Sequence, residues 1–141
     1  MSLSLNQANQ IITAALAKAR DLNLKPVSVI VLDARASLVA AQSEDGVSIM
    51  RAQIAHGKAT AAIQLGMGTR ALMNRAEQQA YFVSAINGLA GGDFVPVPGG
   101  CLVMDGDTLI GAVGISGDTS DNDEAAVVAG IEAAGLSAVT G

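Results

Sequence analysis

The hydrophobic and polar positions of the first forty residues follow two different periods. From Leu5 to about residue 22, apolar residues recur at helical spacing, and Ser4 and Gln7 before them make a Ser-x-x-Gln capping box. A proline then ends the helical pattern, and a short stretch rich in β-branched residues follows at 27–32, with a weaker apolar stretch at 38–42. The pattern predicts one helix and then two antiparallel strands.

The middle of the chain keeps a helical pattern. Apolar residues recur at helical spacing over 49–63, with Ser48 as the expected cap and Gly66 at the expected end. Thr69 is the expected cap of a third helix, and residues 81–86 predict a short fourth helix closed by the following Asn-Gly pair. The glycine- and proline-rich stretch after it is typical of a shaped loop.

The last third alternates strand and helix patterns. Strands are expected at 102–104 and 108–115, on either side of the hairpin signal Asp105-Gly106-Asp107. Ser120 is the expected cap of a final helix that ends near Gly135, with acidic residues in its first turn. The whole pattern predicts a single α+β domain over residues 1–141, with helices packed on an antiparallel sheet.

Composition supports a folded chain and excludes one class of function. Hydrophobic residues make up 50% of the 141 residues and charged residues 15%, the opposite of a disordered composition. The net charge is −5, and the chain has three aromatic residues and no Trp. A nucleic-acid module needs a basic surface and often aromatic stacking platforms, so we expect no nucleic-acid partner.

Cysteine usage and the N-terminus indicate a compartment. Cys101 is the only cysteine, which excludes an internal disulfide framework and a cysteine-based zinc site. The first residues have neither a basic start nor an apolar run, so we expect no signal peptide. These features predict a cytoplasmic protein with no membrane partner.

Charge is distributed unevenly along the chain. Residues 1–75 hold eight basic and four acidic side chains, a net charge of +4, whereas residues 76–141 hold nine acidic side chains and no basic one, a net charge of −9. Opposite charges on two surfaces favour contacts within a subunit or between copies. We expect a homo-oligomer with closed symmetry.

His56 is the only histidine and the candidate metal ligand. A neutral imidazole can bind haem iron, which needs one strong axial ligand, or it can act as an acid or base near neutral pH. The alternative is a polar side chain on an exposed or inter-subunit helix face.

Two cations near His56 are candidate ligand-binding residues. Lys58 and Arg51 lie about 200° and about 140° around the predicted helix from His56, so neither is its close neighbour. Each could neutralise a carboxylate on a small-molecule ligand. Each could equally be solvated or paired with an acidic residue.

Three further residues are candidates for ligand contact. Gly99 and Gly100 lack side chains where a backbone or a flat ligand must come close, although a tight turn accounts for them as well. The acidic stretch 118–124 lacks the ligand spacing of a calcium loop, and helix capping accounts for Asp121 and Asp123. Asp118 precedes the cap and is free to face a ligand or a partner subunit.

Several segments taken together are similar to one family. They are Leu5–Ala19, Ile54–Ala59, Val97–Gly100, Ile110–Gly117 and Asp118–Gly130. Over nearly its whole length the chain resembles the GlcG/HbpS-like haem-binding family, which includes the C-terminal domain of PduO-type proteins. The resemblance implies a profilin-like antiparallel sheet flanked by helices, symmetric oligomers and, in some relatives, binding of haem or another tetrapyrrole.

Two hypotheses for function come from these observations. The first is a small-ligand binding protein, with haem as the candidate cofactor and His56 as its protein ligand. The second is an enzyme or accessory protein acting on a small hydroxy acid, with His56 as acid or base and Lys58 or Arg51, from the same or another subunit, holding the carboxylate. A third alternative is an oligomer with no ligand. A wide apolar slot would favour the first hypothesis and a small polar pocket the second.

Overall fold

Five strands form one antiparallel sheet in the computed structural model, which describes residues 2–141. They are β1 (Ser28–Asp33), β2 (Leu38–Ser43), β3 (Gly100–Asp105), β4 (Thr108–Ser116) and β5 (Ser137–Val139). The order across the sheet is β2-β1-β4-β3-β5, and every neighbouring pair is antiparallel. The predicted antiparallel pairing of β1 with β2 and the predicted hairpin of β3 and β4 are confirmed, and β5 is an additional edge strand.

Helices cover both faces of the sheet. They are α1 (Leu5–Asp21), α2 (Arg51–Leu65), α3 (Thr69–Gln78), α4 (Ala80–Leu89) and α5 (Ser120–Ala133). Helices α1 and α5 pack on one face and α2 packs on the other, so the expected α+β plan is confirmed. Among residues 2–141, no helix combines the length and the apolar composition that crossing a bilayer requires.

The two faces of the sheet are packed with side chains of different size. Under α1 and α5, aliphatic residues such as Ile11 and Ile131 contact β-branched residues of the strands. Under α2, alanines pack against Ile30 and Leu32. A Cβ on Gly114 of β4 would collide with the backbone carbonyl of Ala55 in α2. Small residues on both sides therefore let α2 lie unusually close to the sheet.

Some predicted helix ends are confirmed. The backbone N–H of Ser4 donates to Gln7 Oε1 at 2.9 Å and the Gln7 N–H donates to Ser4 Oγ at 3.1 Å, which completes the capping box of α1. Gly66 follows α2 with φ 67°, the left-handed conformation that glycine adopts without steric cost.

Three predicted caps are wrong. Ser48 lies in a turn before α2, where its hydroxyl accepts from Arg51 Nε. Thr69 is the first residue of α3, and its hydroxyl bonds the backbone of Gly100 instead of the helix end. Thr119, not Ser120, caps α5, because its hydroxyl accepts from the N–H three residues ahead.

The fourth helix is longer than its pattern predicts. Helix α4 continues through Asn87 and Gly88, which were expected to close it, and its cap is Ala90. The chain turns only at Gly91 and Gly92, with φ values of 70° and 89°. The loop before β3 is therefore shorter than expected and begins with these two left-handed glycines.

Candidate functional site

The imidazole of His56 is held by two side chains. Its Nδ1 lies 2.9 Å from Asp93 Oδ2 and 3.2 Å from Thr60 Oγ1, one turn further along α2. The Thr60 hydroxyl also donates to Asp93 Oδ2 at 3.4 Å. Since Nδ1 faces a carboxylate acceptor, the neutral ring carries its proton on Nδ1 and presents the Nε2 lone pair.

The other nitrogen of His56 is available. Among residues 2–141, Nε2 has no hydrogen-bond partner, and the side chain is 39% exposed. A carboxylate bonded to one ring nitrogen is the usual way in which proteins orient a metal-binding histidine. No group of three or more His, Cys, Asp and Glu side chains within the described residues is arranged to hold a metal ion. His56 therefore offers one ligand and no closed metal site.

Asp93 reaches His56 because its loop lies directly on α2. The N–H of Val95 donates to the carbonyl of Gly57 at 3.1 Å. A Cβ on Gly57 would lie 2.6 Å from Val95 Cγ2, so a larger residue would require the Val95 side chain to move. Asp93 was not a sequence candidate, because an acidic residue in a glycine-rich loop gives no periodic signal. Its position in the glycine- and proline-rich stretch, the predicted shaped loop, was the only sequence feature that marked Asp93.

A groove adjoins the His56–Asp93 pair. It has a volume of about 360 Å³ and is lined by Met50, Gln53, Ile54, Gly92, Asp93 and Val95. The neighbouring Ile49 is 94% exposed and Met50 is 61% exposed, so apolar surface continues beyond the groove. Exposed large apolar side chains beside polar groups are typical of binding surfaces.

Lys58 is buried in the interior and does not line the groove. Its Nζ donates to the carbonyl of Ile115 at 2.9 Å and to Asp123 Oδ2 at 3.2 Å. Burial lowers the pKa of Lys58, and the Asp123 carboxylate acts in the opposite direction. The side chain is 2% exposed. A ligand carboxylate could reach Nζ only by displacing Asp123. Lys58 therefore stabilises the fold and is not available for ligand binding.

Gly99 and Gly100 allow the backbone to pack against Lys58. A Cβ on Gly99, whose φ is 116°, would lie 2.8 Å from Lys58 Nζ. A Cβ on Gly100 would lie 2.5 Å from the Lys58 carbonyl oxygen. Both glycines are buried. Of the two explanations open at the sequence level, close approach of backbone accounts for them without a ligand.

Arg51 and Asp118 lie together at the far end of β4. Arg51 Nη1 donates to Ser116 Oγ at 3.2 Å. Asp118 accepts from the backbone N–H of Lys25, from Asn122 and from the N–H of Thr119, and these bonds lower its pKa to about 2. Both residues line a separate cavity of about 170 Å³.

The structure divides the predicted site residues into separate groups. His56 faces Asp93, Lys58 faces the interior, and Arg51 contacts the end of β4. A hydroxy-acid site that uses His56 and Arg51 of the same subunit is therefore not assembled. Two larger concavities, of about 450 and 420 Å³, lie on α1 and beside β2, and His56 is in neither.

The antiparallel sheet, with α2 on one face and α1 and α5 on the other, is an α+β architecture in which His56 lies on the outer side of α2. The model of the family described as haem degrading protein HbpS-like matches residues 3–132, and the chain belongs to this HbpS-like family. No curated protein matches the chain.

Solved structures share the fold. The PduOC protein in its haem complex is 24% identical, with a TM-score of 0.87, and the match covers 96% of this chain and 97% of that one. The Klebsiella pneumoniae protein ORFY is 24% identical with a TM-score of 0.85, and the match covers 94% of this chain and 90% of that one. A double mutant of Streptomyces reticuli HbpS is 24% identical with a TM-score of 0.80, and the match covers 94% of this chain and 86% of that one. These similarities show the fold.

Proposed function

We propose that this chain binds haem or a related tetrapyrrole, with Nε2 of His56 as the protein ligand to iron. The observation that carries the proposal is the orientation of the imidazole by Asp93, which leaves Nε2 without a partner among residues 2–141 on a side chain that is 39% exposed. One imidazole is sufficient for haem, because the macrocycle provides the other nitrogens.

The surface beside His56 fits a flat apolar ligand. Ile54 and Val95 line the groove that Asp93 shares, and exposed Ile49 and Met50 extend it. Haem, when bound, would supply an iron centre, and this chain's own residues would bind and orient it. The family description and the haem complex of the similar PduOC protein support haem among iron-containing ligands.

Cys101 does not compete with His56 for iron. Its side chain is fully buried, and burial raises the pKa of the thiol to about 12. It therefore neither reaches the surface nor forms the thiolate that binds metals. His56 is the only residue of the chain that can offer iron a neutral imidazole nitrogen.

The proposal is tested by titrating the purified protein with haemin and following the Soret band. The wild-type protein is expected to give a saturable, shifted band, and His56→Ala is expected to weaken or reshape it. Gln64→Ala is the matched control, because Gln64 is exposed on the same helix and lies outside the groove. Light scattering with and without haemin tests the predicted homo-oligomer in the same samples.

Added imidazole sharpens the test. His56 is partly exposed, so free imidazole can enter the space left in His56→Ala and is expected to restore the wild-type band shape. A wild-type spectrum equal to that of free haemin would overturn the proposal. Equal haemin affinity in wild type and His56→Ala would overturn the role of His56.

A further inference from the structure

The guanidinium of Arg51 is held in place but not neutralised. Its Nε donates to Ser48 Oγ at 3.3 Å and its Nη1 donates to Ser116 Oγ at 3.2 Å. Both acceptors are uncharged hydroxyls, and no carboxylate among residues 2–141 lies within ion-pair distance of Arg51. Arginine has five N–H donors, so three remain unused, in a fixed orientation.

Arg51 lines a cavity with an excess of positive charge. The cavity, of about 170 Å³, is bounded by Arg51, Lys25 and residues 117–119. The Lys25 ammonium makes no ion pair or hydrogen bond within the described structure. Asp118 is the only acidic residue in the lining. The residues that line the cavity therefore include two cations and one carboxylate, although the whole chain carries −5.

Neither nearby carboxylate compensates Arg51. Asp118 accepts from backbone and amide N–H groups with both oxygens. Asp123, in the interior behind the cavity, is paired with Lys58. Neither the Asp118 nor the Asp123 carboxylate forms an ion pair with Arg51, so the lining of the cavity keeps an excess of one positive charge.

We propose that this cavity binds a small organic monocarboxylate through the free edge of Arg51. A planar carboxylate matches the planar guanidinium, which can donate two parallel hydrogen bonds. At about 30 Å³ per water-sized group, the volume holds about five or six such groups, the size of a two- or three-carbon acid. The Asp118 carboxylate in the lining disfavours a dianion such as phosphate.

The site is independent of the proposed haem site. Arg51 lies about 140° around α2 from His56, and it contacts β4 whereas His56 contacts the Asp93 loop. Failure of haemin binding would therefore leave this proposal standing, and His56→Ala is expected to retain carboxylate binding.

Acetate is the probe, titrated at constant ionic strength against sodium chloride while the backbone amide resonances of Gly117, Asp118 and Thr119 are followed by NMR. We expect saturable shifts with acetate, at least tenfold weaker binding in Arg51→Gln, and a smaller loss in Lys25→Gln. The matched control is Arg35→Gln. Arg35 is exposed and lies in the β1–β2 turn, so this variant is expected to bind acetate as wild type does.

Four results would overturn the proposal. Chloride could produce the same shifts as acetate, phosphate could bind more tightly than acetate, or Arg51→Gln could bind acetate as wild type does. The fourth is absence of saturable acetate shifts in the wild-type protein. If Arg51→Gln also changes the mass in solution, a second copy of the chain covers Arg51. If Arg51→Gln lowers the melting temperature, Lys25→Gln carries the test, because its side chain has no bonds to lose.

Discussion

The Nζ atom of Lys58 lies 3.2 Å from Oδ2 of Asp123, and the two side chains are 2% and 1% exposed. Asp123 also accepts the backbone N–H groups of Gly117 and Asp118. The pair therefore joins α2, the end of β4 and the first turn of α5 in the interior. A buried charge is stable only when it is paired and hydrogen-bonded, as both members are here.

We expect Lys58→Met to destabilise the protein by about 3–5 kcal/mol, because it leaves the Asp123 carboxylate buried without a counter-charge. Urea unfolding measures the loss. Lys58→Met combined with Asp123→Asn should recover part of it, since the amide is neutral and its oxygen still accepts from Gly117 or Asp118. Lys18→Met, at a side chain outside the core, is the control. A loss below about 1 kcal/mol would contradict the prediction.

Gly114→Ala should destabilise the protein by about 1–3 kcal/mol or more. The added Cβ would collide with the Ala55 carbonyl, and α2 would have to move away from the sheet. Gly88→Ala adds the same methyl group in α4, where nothing lies within 4 Å. Gly88→Ala should be neutral or stabilise by about 0.5–1 kcal/mol. Similar melting temperatures for the two variants would disprove the close packing of α2.

Thr119→Ala should cost about 1 kcal/mol, because it removes the acceptor of the Asn122 N–H at the start of α5. Ser120→Ala should change the free energy of unfolding by much less, since Ser120 makes no capping bond. Chemical denaturation of both variants compares them directly. The larger loss in Ser120→Ala would place the cap at the position that the sequence predicted.

The stabilising contribution of Asp118 should depend on pH. Hydrogen bonds from Lys25, Asn122 and Thr119 lower its folded-state pKa to about 2, from an ordinary value of 3.8. A lowered pKa stabilises the folded state above the ordinary value, and this stabilisation is lost as the pH falls from about 4 to about 2. The stability difference between wild type and Asp118→Asn, measured by urea unfolding, should therefore shrink over this range. A constant difference would count against the bonds.

Asp93→Asn should weaken haemin binding less than His56→Ala does. The amide can still contact Nδ1, but it no longer fixes the tautomer that presents the Nε2 lone pair. Haemin affinity and Soret shape measure the effect. Asp107→Asn, in the exposed β3–β4 turn, is the control and should bind as wild type does. An unchanged affinity in Asp93→Asn would remove its positioning role.

Features that depend on near neighbours were predicted from the sequence. The capping box of Ser4 and Gln7 and the hairpin around Gly106 each involve residues a few positions apart. Strand β5 was missed because three residues carry no clear pattern, and its pairing with β3 defines it.

The contacts of the candidate site could not be predicted from the sequence, because they join residues far apart in the chain. Lys58 and Asp123 are 65 positions apart, and Thr60 and Asp93 are 33 apart. His56 could be chosen by its chemistry alone, whereas Asp93 becomes its partner only when its loop returns to Gly57. Lys58 and Arg51 are likewise two cations of one helix in the sequence, and only the fold distinguishes the buried Lys58 from the partly exposed Arg51.

The close approach of α2 to the sheet has a consequence for how the chain can diverge. Inward positions such as Ala55 have no room for a larger side chain, because β4 lies directly beneath them. Outward positions such as Gln53 and His56 contact solvent or the neighbouring loop and can be replaced without disturbing the sheet. The outward side chains of α2 can therefore be substituted while its backbone stays in place. Changing a few of these residues would be enough for this face to bind a different ligand.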